Sequence, residues 1–158
     1  MSYAENTAVA FEKSIAEIIT LIKRAGAQRI RQEEAPDQFI IQFALADRVI
    51  RFRLPLPALA DMPTRGGRNV TLTAAQRRDR LTQRHRQRGR ALLLVIKAKL
   101  ESVERGIETL EQAFLAHVVM ADDRTVYDRI AEPIALEYRT GAPDATMGLL
   151  PPPKGGAA

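Results

Sequence analysis

From Thr73 to about Met120 the sequence reads as one helix, and few compact folds can accommodate that length. Thr73-Ala74-Ala75-Gln76 has the capping-box spacing, a threonine followed three residues later by glutamine. Behind it Leu92, Ile96, Leu100, Val103, Ile107, Leu110 and Phe114 keep helical spacing. Unbroken, the helix would be roughly 65–70 Å long at 1.5 Å per residue. A chain of 158 residues has one core and cannot cover such a rod. The helix therefore bends at Gly89 or Gly106, projects its first half, or packs against another subunit. Leu92-Leu93-Leu94-Val95-Ile96 is apolar all round and must be covered all round. This predicts a homo-oligomer with Leu93, Leu94 and Ile107 at or beside the interface.

The remaining elements follow from shorter patterns. Thr7 is placed to cap a first helix carrying Phe11, Ile15, Ile18, Ile22 and Ala25 on one face, with Gly26 as its stop. Residues 28–32 are weakly strand-like. Residues 38–45 and 48–54 alternate clearly: Phe39, Ile41, Phe43 and Leu45, then Ile50, Phe52 and Leu54, face one way. Glu34-Ala35-Pro36-Asp37 and Ala46-Asp47 are the breaks, the second a tight hairpin without glycine. Pro55 and Pro57 end the third strand, and a long loop fills 55–72. A last helix runs from about Thr125 to Arg139, interrupted or kinked at Pro133 and stopped by Gly141. Tyr127, Ile130, Ile134 and Tyr138 lie on one side of it. The expected class is α+β: N-terminal helix, three-stranded antiparallel meander, long helix and a short C-terminal helix. One domain spans 1–141, with a basic arm at 65–90, and a disordered Pro/Gly-rich tail spans 142–158. Phe39, Phe43, Phe52, Leu92, Ile96, Leu100 and Phe114 are the expected core.

Charge is distributed unevenly. Residues 65–90 hold nine arginines against one acid, Asp79, a net +8, so the rest of the chain carries −3 of the total +5. The arm contains no lysine, although lysine occurs elsewhere. A guanidinium binds phosphate bidentately and stacks on bases, which an ammonium cannot do. A solvated helix face or a strip matching an acidic protein is the plain alternative.

Catalytic chemistry has few parts here. Cysteine is absent, which excludes disulfides and thiolate chemistry and fits a reducing bacterial cytoplasm. No apolar run reaches bilayer length, and the start has no basic-then-apolar leader. His85 and His117 are the only histidines. The first reads as a solvated helix residue or a stacking ring, the second as partly buried and structural. Arg65-Gly66-Gly67-Arg68 could cradle a phosphate, but reads first as a flexible loop tip. Glu101, Glu104, Glu108 and Glu111 form a helical stripe that could hold a metal or pair with Lys97 and Arg105; the ion-paired face is favoured. No cofactor and no enzyme activity are expected.

Geometry suggests a binding surface instead. Arg29 and Arg31, and Arg51 and Arg53, are each two apart on a strand, so each pair projects from one face. Arg77, Arg80, Arg84 and Arg88 fall within about 80° of a helix at 100° per residue. A basic sheet face beside this helix would make a groove for a phosphate backbone. The candidate contacts are Arg51, Arg53, Arg65, Arg68, Arg77, Arg80, Arg84 and Arg88. With 5% aromatic residues and no tryptophan, base stacking is secondary to phosphate contact.

Tyr3-Ala4-Glu5-Asn6-Thr7, Ile50-Arg51-Phe52-Arg53-Leu54-Pro55-Leu56-Pro57, Arg90-Ala91-Leu92 and Val95-Ile96-Lys97-Ala98-Lys99-Leu100-Glu101 resemble a family of small phage and prophage proteins. Glu111, Phe114-Leu115-Ala116-His117 and Thr125-Val126 continue the pattern, so the resemblance spans roughly residues 3–140. It implies a phage or prophage setting. In layout alone, a small sheet with a long helix and a basic groove is similar to the single-strand annealing proteins of phages. The expected function is binding of nucleic acid, with single-stranded DNA as the expected form, in replication, recombination or annealing. The alternative is an anti-defence or host-takeover protein that binds a host protein or nucleotide signal through the same surface.

Overall fold

The computed structural model describes residues 4–144, and its elements follow the expected α+β order. Helix α1 spans Phe11–Arg24. Thr7 does not cap it: its hydroxyl accepts the Val9 N–H at 3.2 Å, and the helix begins after Ala10, which has no side-chain cap. Gly26 ends it with φ +96°, donating to Lys23 O while Ala27 N–H reaches back to Ile22 O. Only glycine takes that backbone conformation without strain.

Strands β1 (Gln28–Ala35), β2 (Gln38–Leu45) and β3 (Arg48–Pro55) form one antiparallel sheet in that order. β1 runs past Gln32, because Glu34 pairs with Phe39 and Ala35 with Gln38, leaving only Pro36-Asp37 to turn. Ala46 and Asp47 both have positive φ (45° and 63°), the pair of conformations that a type I′ hairpin needs. β1 carries a bulge: Gln28 pairs with Ala44 but Arg31 with Gln42, and Arg29 sits at φ 52°.

Helix α2 spans Ala74–Glu104, about 46 Å at 1.5 Å per residue. It does not reach Met120. Gly106, at φ 68°, donates to Val103 O while Ile107 N–H donates to Ser102 O, which closes the last turn. Thr109 and Gln112 then cap a short helix α3, Leu110–Phe114. Gly89 marks no bend. It lies at the crossing with α1, where a Cβ would stand 2.8 Å from Phe11 Cδ2. After α3, Val118 and Val119 run beside β3, and Thr125 with Asp128 caps α4, Val126–Thr140, which Gly141 ends. Pro133 lies inside α4.

α1 and α2 cover the sheet face that presents Phe39, Ile41, Phe43, Leu45, Ile50, Phe52 and Leu54. Ile15, Ile18, Ile22, Leu92, Leu93, Ile96 and Phe114 complete the core, while Leu100 is only partly buried against it. Leu93 is thus buried within the chain, at 5% exposure, and not held open for a partner. Its neighbour Val95 is 44% exposed and Ile107 is 74% exposed. The Pro/Gly-rich end expected to be disordered lies, from residue 145 on, outside the described residues. Among the described residues no helix is long and apolar enough to cross a membrane.

Candidate nucleic-acid interface

The loop between β3 and α2 is built, not slack. Leu56 N–H donates to Asp37 O at 2.8 Å, and the Asp61 carboxylate caps Ala58 N–H at 2.8 Å. Residues 64–72 form a small ribbon: Gly66 N–H donates to Val70 O, Leu72 N–H to Thr64 O, and Arg65 bridges Thr71. Its tip is Arg68-Asn69, both with φ near 60°. The Arg65-Gly66-Gly67-Arg68 stretch is therefore a closed, hydrogen-bonded tip.

Side chains from α2 hold this loop along the helix. Arg77 Nη2 donates to Leu59 O at 2.9 Å and Met62 O at 3.3 Å. His85 Nε2 donates to Pro57 O at 3.0 Å, so the ring is neither simply solvated nor free to stack. Gln83 and Gln87 fasten the N-terminal segment through Thr7 O and Glu5 O. The basic half of α2 is thus flanked by the loop and does not project alone.

These contacts leave one groove, of about 780 Å³, between α2 and the loop. Arg80, Arg84, Arg88 and Ala91 line the helix side; Pro57, Asp61, Met62 and Pro63 line the loop side, with Ala4 and Glu5 nearby. Arg80, Arg84 and Arg88 succeed each other at one-turn intervals, a rise of about 6 Å per step. At the top of this ladder the ribbon tip joins it, since Gly66 packs against Arg80. Arg65 and Arg68 flank Gly66 in the chain and so stand near the Arg80 end of the ladder, outside the groove lining.

The nine arginines of 65–90 divide by their bonding. Arg77 is tied to the loop, Arg90 pairs with Glu17 at 2.9 Å, and Arg65 reaches Asn69 O at 3.5 Å. Arg68, Arg78, Arg80, Arg84, Arg86 and Arg88 form no hydrogen bond or ion pair with a described residue.

Arg51 and Arg53 lie elsewhere. They alternate with Ile50, Phe52 and Leu54, so they occupy the sheet face opposite α1 and α2. The single groove expected between sheet and helix does not exist, because the sheet itself separates its two halves. Arg51 is 9% exposed and each of its three nitrogens donates within the fold, to Gln42 Oε1 at 2.8 Å, Asp123 O at 2.8 Å and Asp123 Oδ1 at 2.5 Å. Arg53 pairs with Asp128 at 3.2 Å. Hydrogen bonding by the Thr125 backbone N–H holds Asp128 below the usual carboxylate range, and Arg53 adds to this. Arg29 does not share a surface with Arg31: the bulge turns it toward Gly26 and Asp47, while Arg31 stands beside Gln42 and Arg53.

The remaining candidates are structural. His117 stacks on Phe52 with ring centroids 4.0 Å apart. Burial, and then Lys99, push its pKa below the ordinary histidine value, while a backbone bond at Arg51 acts the other way. Glu101, Glu104, Glu108 and Glu111 do not form one stripe, since α2 ends at Gly106 between them. Glu101 binds Arg105 at 2.5 Å, Glu108 accepts from Ser102 at 2.7 Å and Glu111 pairs with Arg48 at 2.5 Å. Among the described residues no three metal-ligating side chains cluster. No protein-family model matches this chain, and neither a curated protein nor a solved structure does.

Proposed function

We propose that the chain is a non-enzymatic nucleic-acid-binding protein of a phage or prophage. It holds single-stranded DNA by its phosphates along Arg65, Arg68, Arg80, Arg84 and Arg88, and it acts in replication, recombination or annealing. The observation that carries this reading is the unpaired arginine ladder on the groove wall. Like charges four residues apart on a helix destabilise it by about 0.2–0.5 kcal/mol per pair. Asp61 and Glu5 line the same groove, but no described carboxylate forms an ion pair with Arg80, Arg84 or Arg88. A polyanion laid along the groove offsets that cost directly and releases counterions as it binds.

Among the described residues no aromatic ring lines the groove, so stacking of bases contributes little to the reading and binding is expected to be tolerant of sequence. The test is fluorescence anisotropy with labelled single-stranded and duplex oligonucleotides across a salt series. Tight binding with a linear, steep dependence of log K on log salt supports the reading. Absence of binding at low salt refutes it.

A second reading draws on the groove volume. About 780 Å³ lies within the range of small-ligand sites, roughly 300–1,000 Å³. An anti-defence protein could seat a nucleotide signal there on the same arginines. Calorimetry with mononucleotides and short cyclic oligonucleotides separates the two: stoichiometric binding that an oligonucleotide does not surpass favours the signal.

A further inference from the structure

Helix α4 leaves its apolar face without a partner. Tyr127 is 59%, Ile134 38% and Tyr138 90% exposed, with Ile130 and Ala131 half-buried between them. All five fall within about 100° of the helix circumference. The helix is anchored chiefly at its start, where Val126 N–H donates to Val118 O at 2.9 Å and Asp128 meets Arg53. A stripe of this kind marks an interaction surface.

The stripe is self-complementary. Its order, Tyr127, Ile130-Ala131, Ile134, Tyr138, reads nearly the same from either end. Two copies of α4 packed antiparallel about a two-fold axis set Tyr127 of one against Tyr138 of the other, and Ile130 against Ile134. An isologous contact requires this kind of match.

The end charges agree with that register, while Glu132, exposed on the same flank, comes near its own copy at the axis. Asp128 and Arg139 lie on the same flank of the stripe, about 100° and 120° round from Tyr127. In the antiparallel pair the two-fold axis brings like flanks together, so each Asp128 comes beside the second copy's Arg139; in a parallel pair the same flanks lie on opposite sides of the seam and the two do not meet. Arg139 is exposed and bonded to no described residue.

We propose that this protein forms a two-fold dimer through α4, with a second copy of the chain as the occupant of the Tyr127–Tyr138 stripe. The interface stands away from Arg80, Arg84 and Arg88, so it does not depend on the nucleic-acid reading and leaves both grooves open.

Light scattering across a concentration series is the test. The wild type should approach twice the chain mass of 17.6 kDa as concentration rises. Ile134→Glu with Tyr138→Glu should stay at 17.6 kDa with unchanged circular dichroism. Arg139→Glu, a milder change at an exposed site, should raise the dimer dissociation constant several-fold. A wild type that stays monomeric into the high micromolar range overturns the proposal, and so does a dimer that both variants leave intact. The natural chain lacks cysteine, so orientation can be read by cross-linking. Mixed Tyr127→Cys and Tyr138→Cys chains should form disulfides between unlike partners, and like-with-like linkage overturns the antiparallel register.

Discussion

Gly66 lies against Arg80: a Cβ on this glycine would stand 3.3 Å from Arg80 Nη2 and 2.9 Å from Leu72 Cδ2. The absence of a side chain lets the ribbon tip close onto the helix. It also brings the ribbon tip that carries Arg65 and Arg68 to the Arg80 end of the helix, 12 or more residues later in sequence.

The arginine ladder should dominate nucleic-acid affinity. Replacing Arg80, Arg84 and Arg88 with glutamine should weaken oligonucleotide binding strongly and reduce the salt slope by roughly one unit per lost phosphate contact. Anisotropy titrations at several salt concentrations measure both. An unchanged slope would remove the ladder from the interface.

Arg51 and Arg77 should behave in the opposite way. Their guanidiniums are bonded to Asp123 and Gln42, and to Leu59 and Met62, within the fold. Hydrogen bonds to a charged group contribute about 1.5–3 kcal/mol, so Arg51→Ala should cost about 2 kcal/mol of stability. Urea unfolding should show the loss, while the salt slope of binding stays at the wild-type value. A large change in slope with little change in stability would place Arg51 on the ligand.

Gly89→Ala sets two effects against each other. Alanine is the better helix former by about 1 kcal/mol. Overpacking a filled core costs about 1–3 kcal/mol. The new Cβ would stand 2.8 Å from Phe11, whose ring is itself wedged edge-on against Phe39, centroids 5.5 Å apart. Packing should win, with a net loss on the order of 1 kcal/mol seen as a lower urea midpoint. A raised midpoint would mean that α1 can shift away from α2.

His117 should make stability sensitive to mild acid. Its folded pKa is depressed by burial and by Lys99. Below the ordinary value of about 6.5 the unfolded chain therefore binds the proton more readily than the folded one. Stability should fall as pH drops through that value, and level off once the folded ring also protonates. His117→Gln should lower the baseline, because Phe52 loses its stacked ring, and should flatten the decline between about pH 7 and pH 5. An equally steep decline in the variant would assign the acid sensitivity to another group.

Much of this architecture was legible in local patterns. The alternation in residues 38–45 and 48–54 named the buried sheet face, because side chains on a strand alternate and one-sided burial leaves no other arrangement. The capping box at Thr73 and the glycines at 26 and 141 marked helix ends through hydrogen bonds within a few residues, whereas Thr7 did not cap the first helix. The arginine density of 65–90 likewise needs no fold to be seen. Spacing alone could not separate a ladder from a scaffold. Arg77 shares the sector of Arg80, Arg84 and Arg88, yet carbonyls of a loop 15 to 18 residues earlier capture it. Arg51 alternates outward as expected, yet Asp123, 72 residues later, covers it. Gly89 and Gly106 look alike in sequence; one is a crossing point set by Phe11, the other a helix stop. Those outcomes depend on which distant segment arrives at each side chain, and only the tertiary structure decides that.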